Sequence, residues 1–247
     1  MPFENCKEGA HVLAARLGTY RGRNPLVLAI PRGAVPMGKI IADALGGELD
    51  VVLVRKLRAP HNPELAIGSI DDAGVVYLDP NMRNLWTEAY LDAEKQEQLR
   101  TLKQRRETYG LVRPRIDAAG RIAIVIDDGI ATGSTMIAAL RAVRARRPAK
   151  LIAAIGVAPA GTLKVIREEA DEVVCLEAPV VLYAIGNHFR DFSQVSDEDV
   201  TTILKETAPA ASEAGGRGRR AAVKLTFLGM RGSIPIGAPT GWDASTS

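Results

Sequence analysis

Ile122-Ala123-Ile124-Val125-Ile126-Asp127-Asp128-Gly129-Ile130-Ala131-Thr132-Gly133-Ser134-Thr135 is the stretch that decides the fold. Five consecutive apolar residues, with no polar residue alternating between them, describe a strand buried on both faces. The strand runs into two carboxylates and a turn of small and hydroxyl-bearing residues. From about Ser134, apolar residues at helical spacing follow (Ile137, Leu140 and Val143). Strand, turn and helix in this order form the repeating unit of a parallel α/β sheet. Small residues at Gly129, Ala131 and Gly133 let the backbone curl and expose its N–H groups. The hydroxyls of Thr132, Ser134 and Thr135 are donors for phosphate oxygens, and the helix start adds the positive end of its dipole. The turn is a candidate phosphate cradle. It is not a Walker loop, because no Lys follows the last Gly. Two carboxylates beside a phosphate repel it unless they engage hydroxyls or a metal, a condition that a sugar phosphate meets.

Outward from this stretch the same alternation continues. Leu26-Val27-Leu28-Ala29-Ile30 reads as a buried strand ending in Pro31-Arg32-Gly33, followed by a helix through Ile40, Ile41 and Leu45 that stops at Gly46-Gly47. Val51-Val52-Leu53-Val54 reads as a second strand running directly into Arg55-Lys56. Residues 57–72 carry two prolines, a histidine and little periodicity, and predict a long loop leading to a short hairpin. A polar helix is expected over 84–109, with Trp86, Tyr90, Leu99, Leu102 and Arg106 on or near one face, lying outside the sheet. Strands at 151–157 and 173–176, a helix at 162–170 and an N-terminal helix at 4–17 complete the pattern. Residues 180–204, with Tyr183, Phe189 and Phe192, are expected to pack beside the N-terminal helix as a small cap. The predicted class is α/β: a parallel sheet with helices on both faces and a small cap, or hood.

With these motifs in place, residues 26–200 resemble the type I phosphoribosyltransferases. The resemblance is carried by the apolar strand, the acidic pair and the hydroxyl-rich turn of residues 124–135. It implies that Asp127 and Asp128 bind the ribose 2′- and 3′-hydroxyls, directly or through magnesium, and that Ala131, Thr132, Gly133, Ser134 and Thr135 hold the 5′-phosphate. Pro31-Arg32-Gly33 resembles the family's pyrophosphate loop, which often contains a cis peptide that is not a prolyl bond. Arg55-Lys56 resembles its basic pair on pyrophosphate, and residues 57–68 take the place of its mobile loop. The implied reaction is transfer from 5-phosphoribosyl 1-pyrophosphate, with Mg²⁺, to a nucleobase or related nitrogen nucleophile, as in nucleotide metabolism and nucleoside salvage. Asp127 and Asp128 would be the catalytic pair; for a general base only Glu64 offers itself. Tyr183, Phe189 and Phe192 either stack on a flat acceptor ring or fill the core of the cap. Homodimers are common in the family. The likeness is strongest to an uncharacterised bacterial branch that shares the Arg55-Lys56-Leu57, Asn62-Pro63-Glu64-Leu65-Ala66-Ile67-Gly68 and Asp191-Phe192-Ser193-Gln194 stretches.

The 247 residues suffice for one such domain, at 1–206, with a linker at 207–222 rich in Ala, Gly and Arg. Residues 223–247 resemble the opening strand of a metallo-β-lactamase-type domain, without the His-rich metal motif. The net charge of +3 is too small to imply a nucleic-acid partner, and the run Arg141, Arg144, Arg146, Arg147, Lys150 reads as a solvated helix end. Cys6 and Cys175 are expected as reduced thiols; with no signal sequence and no membrane-length apolar run, a cytoplasmic protein is expected. His11, His61 and His188 lack metal-ligand spacing, and Ser134 lacks a Gly-x-Ser-x-Gly setting. The competing expectations are a regulator that senses the phosphoribosyl donor without catalysis, as some family members do, sometimes while binding RNA or DNA, and a hydrolase of phosphoribosyl compounds.

Overall fold

Strands that are apolar on both faces need helices on both sides, and the computed structural model, which describes residues 3–109 and 115–207, supplies them. In chain order the elements are β1 (Phe3–Asn5), α1 (Cys6–Arg16), β2 (Leu26–Ala29), α2 (Ala34–Leu45), β3 (Glu48–Val51), β4 (Val54–Ala59), β5 (Asn62–Asp71), β6 (Val76–Leu78), α3 (Glu88–Thr108), β7 (Ile122–Gly129), α4 (Ser134–Arg144), β8 (Lys150–Val157), α5 (Ala160–Glu169), β9 (Glu172–Glu177), β10 (Phe189–Asp191) and α6 (Asp197–Glu206). The central sheet is wholly parallel, in the order β3-β2-β7-β8-β9. Period-two alternation divides β7 between two cores. Ile122, Ile124 and Ile126 pack with α1 and α2, while Ala123 and Val125 pack with α4 and α5. From β2 the chain winds outward to β3, then returns to β7 on the other flank of β2. The sheet therefore reverses direction between β2 and β7, the place where open α/β sheets bind ligands.

The stretch expected as a loop at 57–72 is instead most of a three-stranded antiparallel flap, β4-β5-β6. Pro60 and His61 make its tight turn, with His61 at φ 62°, and Pro63 falls where the pairing of β4 with β5 shifts register. Proline is tolerated at such an irregularity, so the two prolines mark a turn and a bulge. Arg55 and Lys56 correspondingly lie on β4 of this flap; the parallel strand before them has already ended at Val51. Helix α3 begins at Glu88, where the Thr87 hydroxyl accepts from the Tyr90 N–H (3.3 Å), because 80–85 is 3₁₀. Its buried stripe is Leu91, Glu94, Gln98 and Leu102, half of it polar.

The cap forms as expected, from both ends of the domain. β1 pairs in parallel with β10 (Phe3 with Phe189, Asn5 with Asp191). Phe189 is buried and stacks on Phe192 with ring centroids 5.4 Å apart. Apart from Thr207, the expected linker at 207–222 and tail at 223–247 lie outside the described residues. Among the described residues no helix is long and apolar enough to cross a membrane.

Candidate active site

Two turns leave the sheet side by side at the reversal, residues 30–33 after β2 and 130–133 after β7. In the first, the Pro31–Arg32 peptide is cis. Gly33 then opens α2 against the second turn. A Cβ built on Gly33 would lie 1.9 Å from Asp128 Oδ2 and 2.9 Å from its Cγ, so only glycine lets the backbone come this close to the carboxylate. Arg32 turns toward the hood, its guanidinium 3.7 Å from Asp197 of α6, both side chains about half exposed.

The second turn has the features of an anion cradle. Gly133 caps α4 in the left-handed region (φ 78°) and has no side chain to accept from the first N–H groups of the helix; among the described residues only the Thr132 hydroxyl makes a long contact with the Ser134 N–H (3.5 Å). Ala131, Thr132 and Thr135 are exposed, Ser134 is half-buried, and the Thr132 and Ser134 hydroxyls are hydrogen-bonded at 2.7 Å. Thr162 of α5 donates to the Ala131 carbonyl (2.8 Å) and braces the turn from below.

Between the turns stand Asp127 and Asp128. Burial, then the charge of Asp128, raises the Asp127 carboxyl well above the ordinary carboxylate range, and burial raises Asp128 as well. Among the described residues no Lys or Arg pairs with either. In front of Asp128 lies a cavity of about 220 Å³, bounded by Gly33, by Asn5, Cys6 and Lys7 at the start of α1, and by Asp191, Ser193 and Val195 of the hood. Phe192 and Arg32 border its continuation beside Gly33 and Asp128. The Cys6 thiol registers the field in this space: burial first, then Asp128 and Asp191, push it up to about 11.

These observations bear on magnesium. Carboxylate oxygens without a cationic partner, in an electronegative cavity, are the hard donors that this ion takes. Among the described residues no three acidic, His or Cys side chains converge into a metal cage. That combination suits a cation held by one or two carboxylates and completed by ligand oxygens and water, so the residues fit it.

The remaining residues singled out in the sequence scatter. Tyr183 stands 89% exposed with Val180 and Val181, while Phe189 takes the cap-core alternative at 4%. Arg55 and Lys56, adjacent on a strand, point to opposite faces of the flap. Arg55 Nε donates to Gln98 Oε1 of α3 (2.5 Å), whereas Lys56 lines a cavity with Ser134 of α4. The side chain of Glu64 lies outside the description. The arginine run is engaged within the domain: Arg141 with Glu169, Arg144 with Asp171, Arg146 with Asp71 and Lys150 with Glu172. Asn5 carries no signal in sequence, Cys6 reads there only as a reduced thiol and Ser193 only as part of the shared Asp191–Gln194 stretch, since only tertiary pairing of β1 with β10 brings them to Asp128. Asp191 had a signal in the shared Asp191–Gln194 stretch but no role attached to it.

Comparison with known proteins places this geometry among relatives. The phosphoribosyl transferase domain family matches residues 4–188. In two strains of Mycobacterium tuberculosis, CDC 1551 and H37Rv, a protein provisionally named phosphoribosyl transferase (MT0597 and Rv0571c) is 39% identical over 215 residues, covering 86% of this chain. The chain spans about half the length of these curated relatives, 48%. The crystal structure of TT1426 from Thermus thermophilus, 39% identical, superposes with a TM-score of 0.79 over 85% of this chain and 100% of its own.

Proposed function

The chain belongs to the phosphoribosyl transferase domain family, and from that premise we propose that it transfers the phosphoribosyl group of 5-phosphoribosyl 1-pyrophosphate to a nitrogen nucleophile. One closeness carries the reading: the 1.9 Å between a Cβ built on Gly33 and Asp128 Oδ2. It means that the turn after β2 and the carboxylates after β7 touch. A donor with pyrophosphate on C1 and hydroxyls on the neighbouring carbons needs its two anchoring groups at that spacing.

In this proposal Asp127 and Asp128 accept hydrogen bonds from the 2′- and 3′-hydroxyls. The 5′-phosphate sits on Ala131, Thr132, Gly133, Ser134 and Thr135, and the pyrophosphate on the backbone of Pro31, Arg32 and Gly33. The C1–O bond breaks with its electron pair leaving on pyrophosphate, the acceptor nitrogen supplies the pair for the new C1–N bond, and its proton passes to solvent or base. As positive charge gathers on the ribose ring, the two carboxylates lie where they stabilise it. Asp127 and Asp128 would hold magnesium, directly or through water, and the ion bound there would neutralise charge on the departing oxygens. The acceptor is a nucleobase or related nitrogen compound, for which Phe192 offers a ring face beside Asp128. We assign the activity to residues 1–206 and the protein to the cytoplasm, where free thiols such as Cys6 and Cys175 persist.

The test is turnover with magnesium, the donor and a pool of nucleobases, read by mass spectrometry beside the Asp127→Asn, Asp128→Asn double variant. A new nucleotide from the wild type and none from the variant is expected. Wild-type protein that fails to bind the donor overturns the proposal.

A further inference from the structure

Helix α3 carries two polar residues where a helix of this kind buries apolar ones. Glu94 is 8% exposed and Gln98 1%. Burying them is unfavourable unless each is hydrogen-bonded, and the partners are two arginines of the flap strand β4. Arg55 Nε donates to Gln98 Oε1 (2.5 Å), Gln98 Nε2 donates to Glu94 Oε1 (3.0 Å), and Arg58 donates to the same oxygen through its backbone N–H (3.1 Å) and Nε (2.9 Å). Tyr90 closes the row by donating to the Arg58 carbonyl (3.0 Å).

Strand geometry turns this clamp into an aiming device. Residues 55 and 58 of a regular strand point to opposite faces, and the irregularity at Leu57–Arg58–Ala59 brings Arg58 round to the side of Arg55. Both arginines are thereby held on α3, and the residue between them in the alternation, Lys56, faces α4. The cross-strand row Lys56, Ser69, Tyr77 lies on that face. It walls a cavity of about 130 Å³ whose far side is Ser134, Ile137, Ala138 and Arg141 of α4. The other charged groups there are occupied. Arg141 lies 3.8 Å over the Tyr77 ring and donates to Glu169, and Asp79 accepts from the backbone and side-chain amides of Asn81. Lys56 has no hydrogen-bond or ion-pair partner among the described residues.

We infer that Glu94 and Gln98 are positioning residues that hold the flap so that Lys56 serves the 5′-phosphate at the start of α4 rather than the pyrophosphate. The inference rests on the function proposed above and reassigns the basic pair within it. Arg55 is a structural anchor, and Lys56 alone reaches ligand.

The experiment uses ribose 5-phosphate and inorganic pyrophosphate as separate probes, with magnesium present, titrated calorimetrically into wild type, Lys56→Met, Gln98→Met and the double variant. Arg55→Met breaks the same link from its half-buried end, should Gln98→Met fold poorly. Lys56→Met is expected to weaken ribose 5-phosphate about 10- to 100-fold, as befits one charged hydrogen bond, and to leave pyrophosphate within about twofold. Gln98→Met is expected to weaken ribose 5-phosphate too, yet to add almost nothing on top of Lys56→Met, since it acts through that lysine. Loss of pyrophosphate binding in Lys56→Met, or losses that add in the double variant, overturns the inference while leaving the transferase reading intact. A wild type that binds neither probe removes both.

Discussion

Adding one methyl group at Gly33 tests whether the two turns form a single site. In Gly33→Ala the new carbon would sit 1.9 Å from Asp128 Oδ2, 2.9 Å from Cγ and 3.4 Å from Oδ1, where real Cβ atoms essentially never come within 3.0 Å of another heavy atom. The shortfall to Oδ2 is therefore at least 1.1 Å, from 3.0 minus 1.9. Asp128 cannot retreat with its backbone, because β8 crowds it: a Cβ on Gly156 would stand 2.2 Å from the Asp128 carbonyl oxygen. Either the carboxylate swings away from its place or the 31–33 turn lifts. Misplacement by about 1 Å costs a reaction roughly 100-fold, or about 2.7 kcal/mol of transition-state stabilisation. Overpacking itself costs folding about 1–3 kcal/mol; the low end is expected where one neighbour is a carboxylate facing a cavity. The assay is kcat/KM for the donor with whichever acceptor turns over, together with donor affinity by calorimetry and a thermal melt. Gly18→Ala serves as the control, since a Cβ there meets nothing within 4 Å. A folded Gly33→Ala that binds and turns over the donor within threefold of wild type would refute the claim that this turn and Asp128 act on one ligand.

Two other outcomes follow from charge. Because the folded protein holds the Asp127 proton above the ordinary range, the contribution of this one group to unliganded stability is greatest below about pH 4 and is lost as pH rises through the raised value. Asp127→Asn should melt above the wild type near neutrality and converge with it in acid, while losing donor binding; parallel melting curves at every pH would contradict this. Both thiols, Cys6 and Cys175, are pushed up to about 11, chiefly by burial, so alkylation by iodoacetamide at pH 8 should be slow in the folded protein and fast once urea unfolds it. Rapid labelling of the native state would show that the pocket around Cys6 is open to solvent.

What could be read in advance and what could not divides along physical lines. The central strands were legible because burial on both faces leaves an uninterrupted apolar run, as in Leu26 to Ile30 and Ile122 to Ile126. The acidic pair and the turn after it were legible because their chemistry is consecutive in the chain. The flap was not, since Pro60 and Pro63 imitate a loop and the bulge at Arg58 breaks the period-two pattern that would have betrayed a strand. Nor was the burial of Glu94 and Gln98, whose partners lie 36 and 43 residues away. Arg55 and Lys56 looked like one functional unit in sequence, and strand geometry divides them. The wall of the Asp128 cavity was the least accessible, since Cys6 and Ser193 meet only through the pairing of the first strand with the tenth.

That pairing also has a temporal side. Glu4 and Arg190 form an ion pair across 186 residues, and Phe3 waits for Phe189. During synthesis the sheet can assemble from β2 to β8, and the phosphate turn with it, long before the partner of β1 has left the ribosome. A nascent chain thus carries the notch between the two turns while it is still open on the hood side. The notch acquires its outer wall only as the end of the domain emerges, so completion of the site reports completion of the domain.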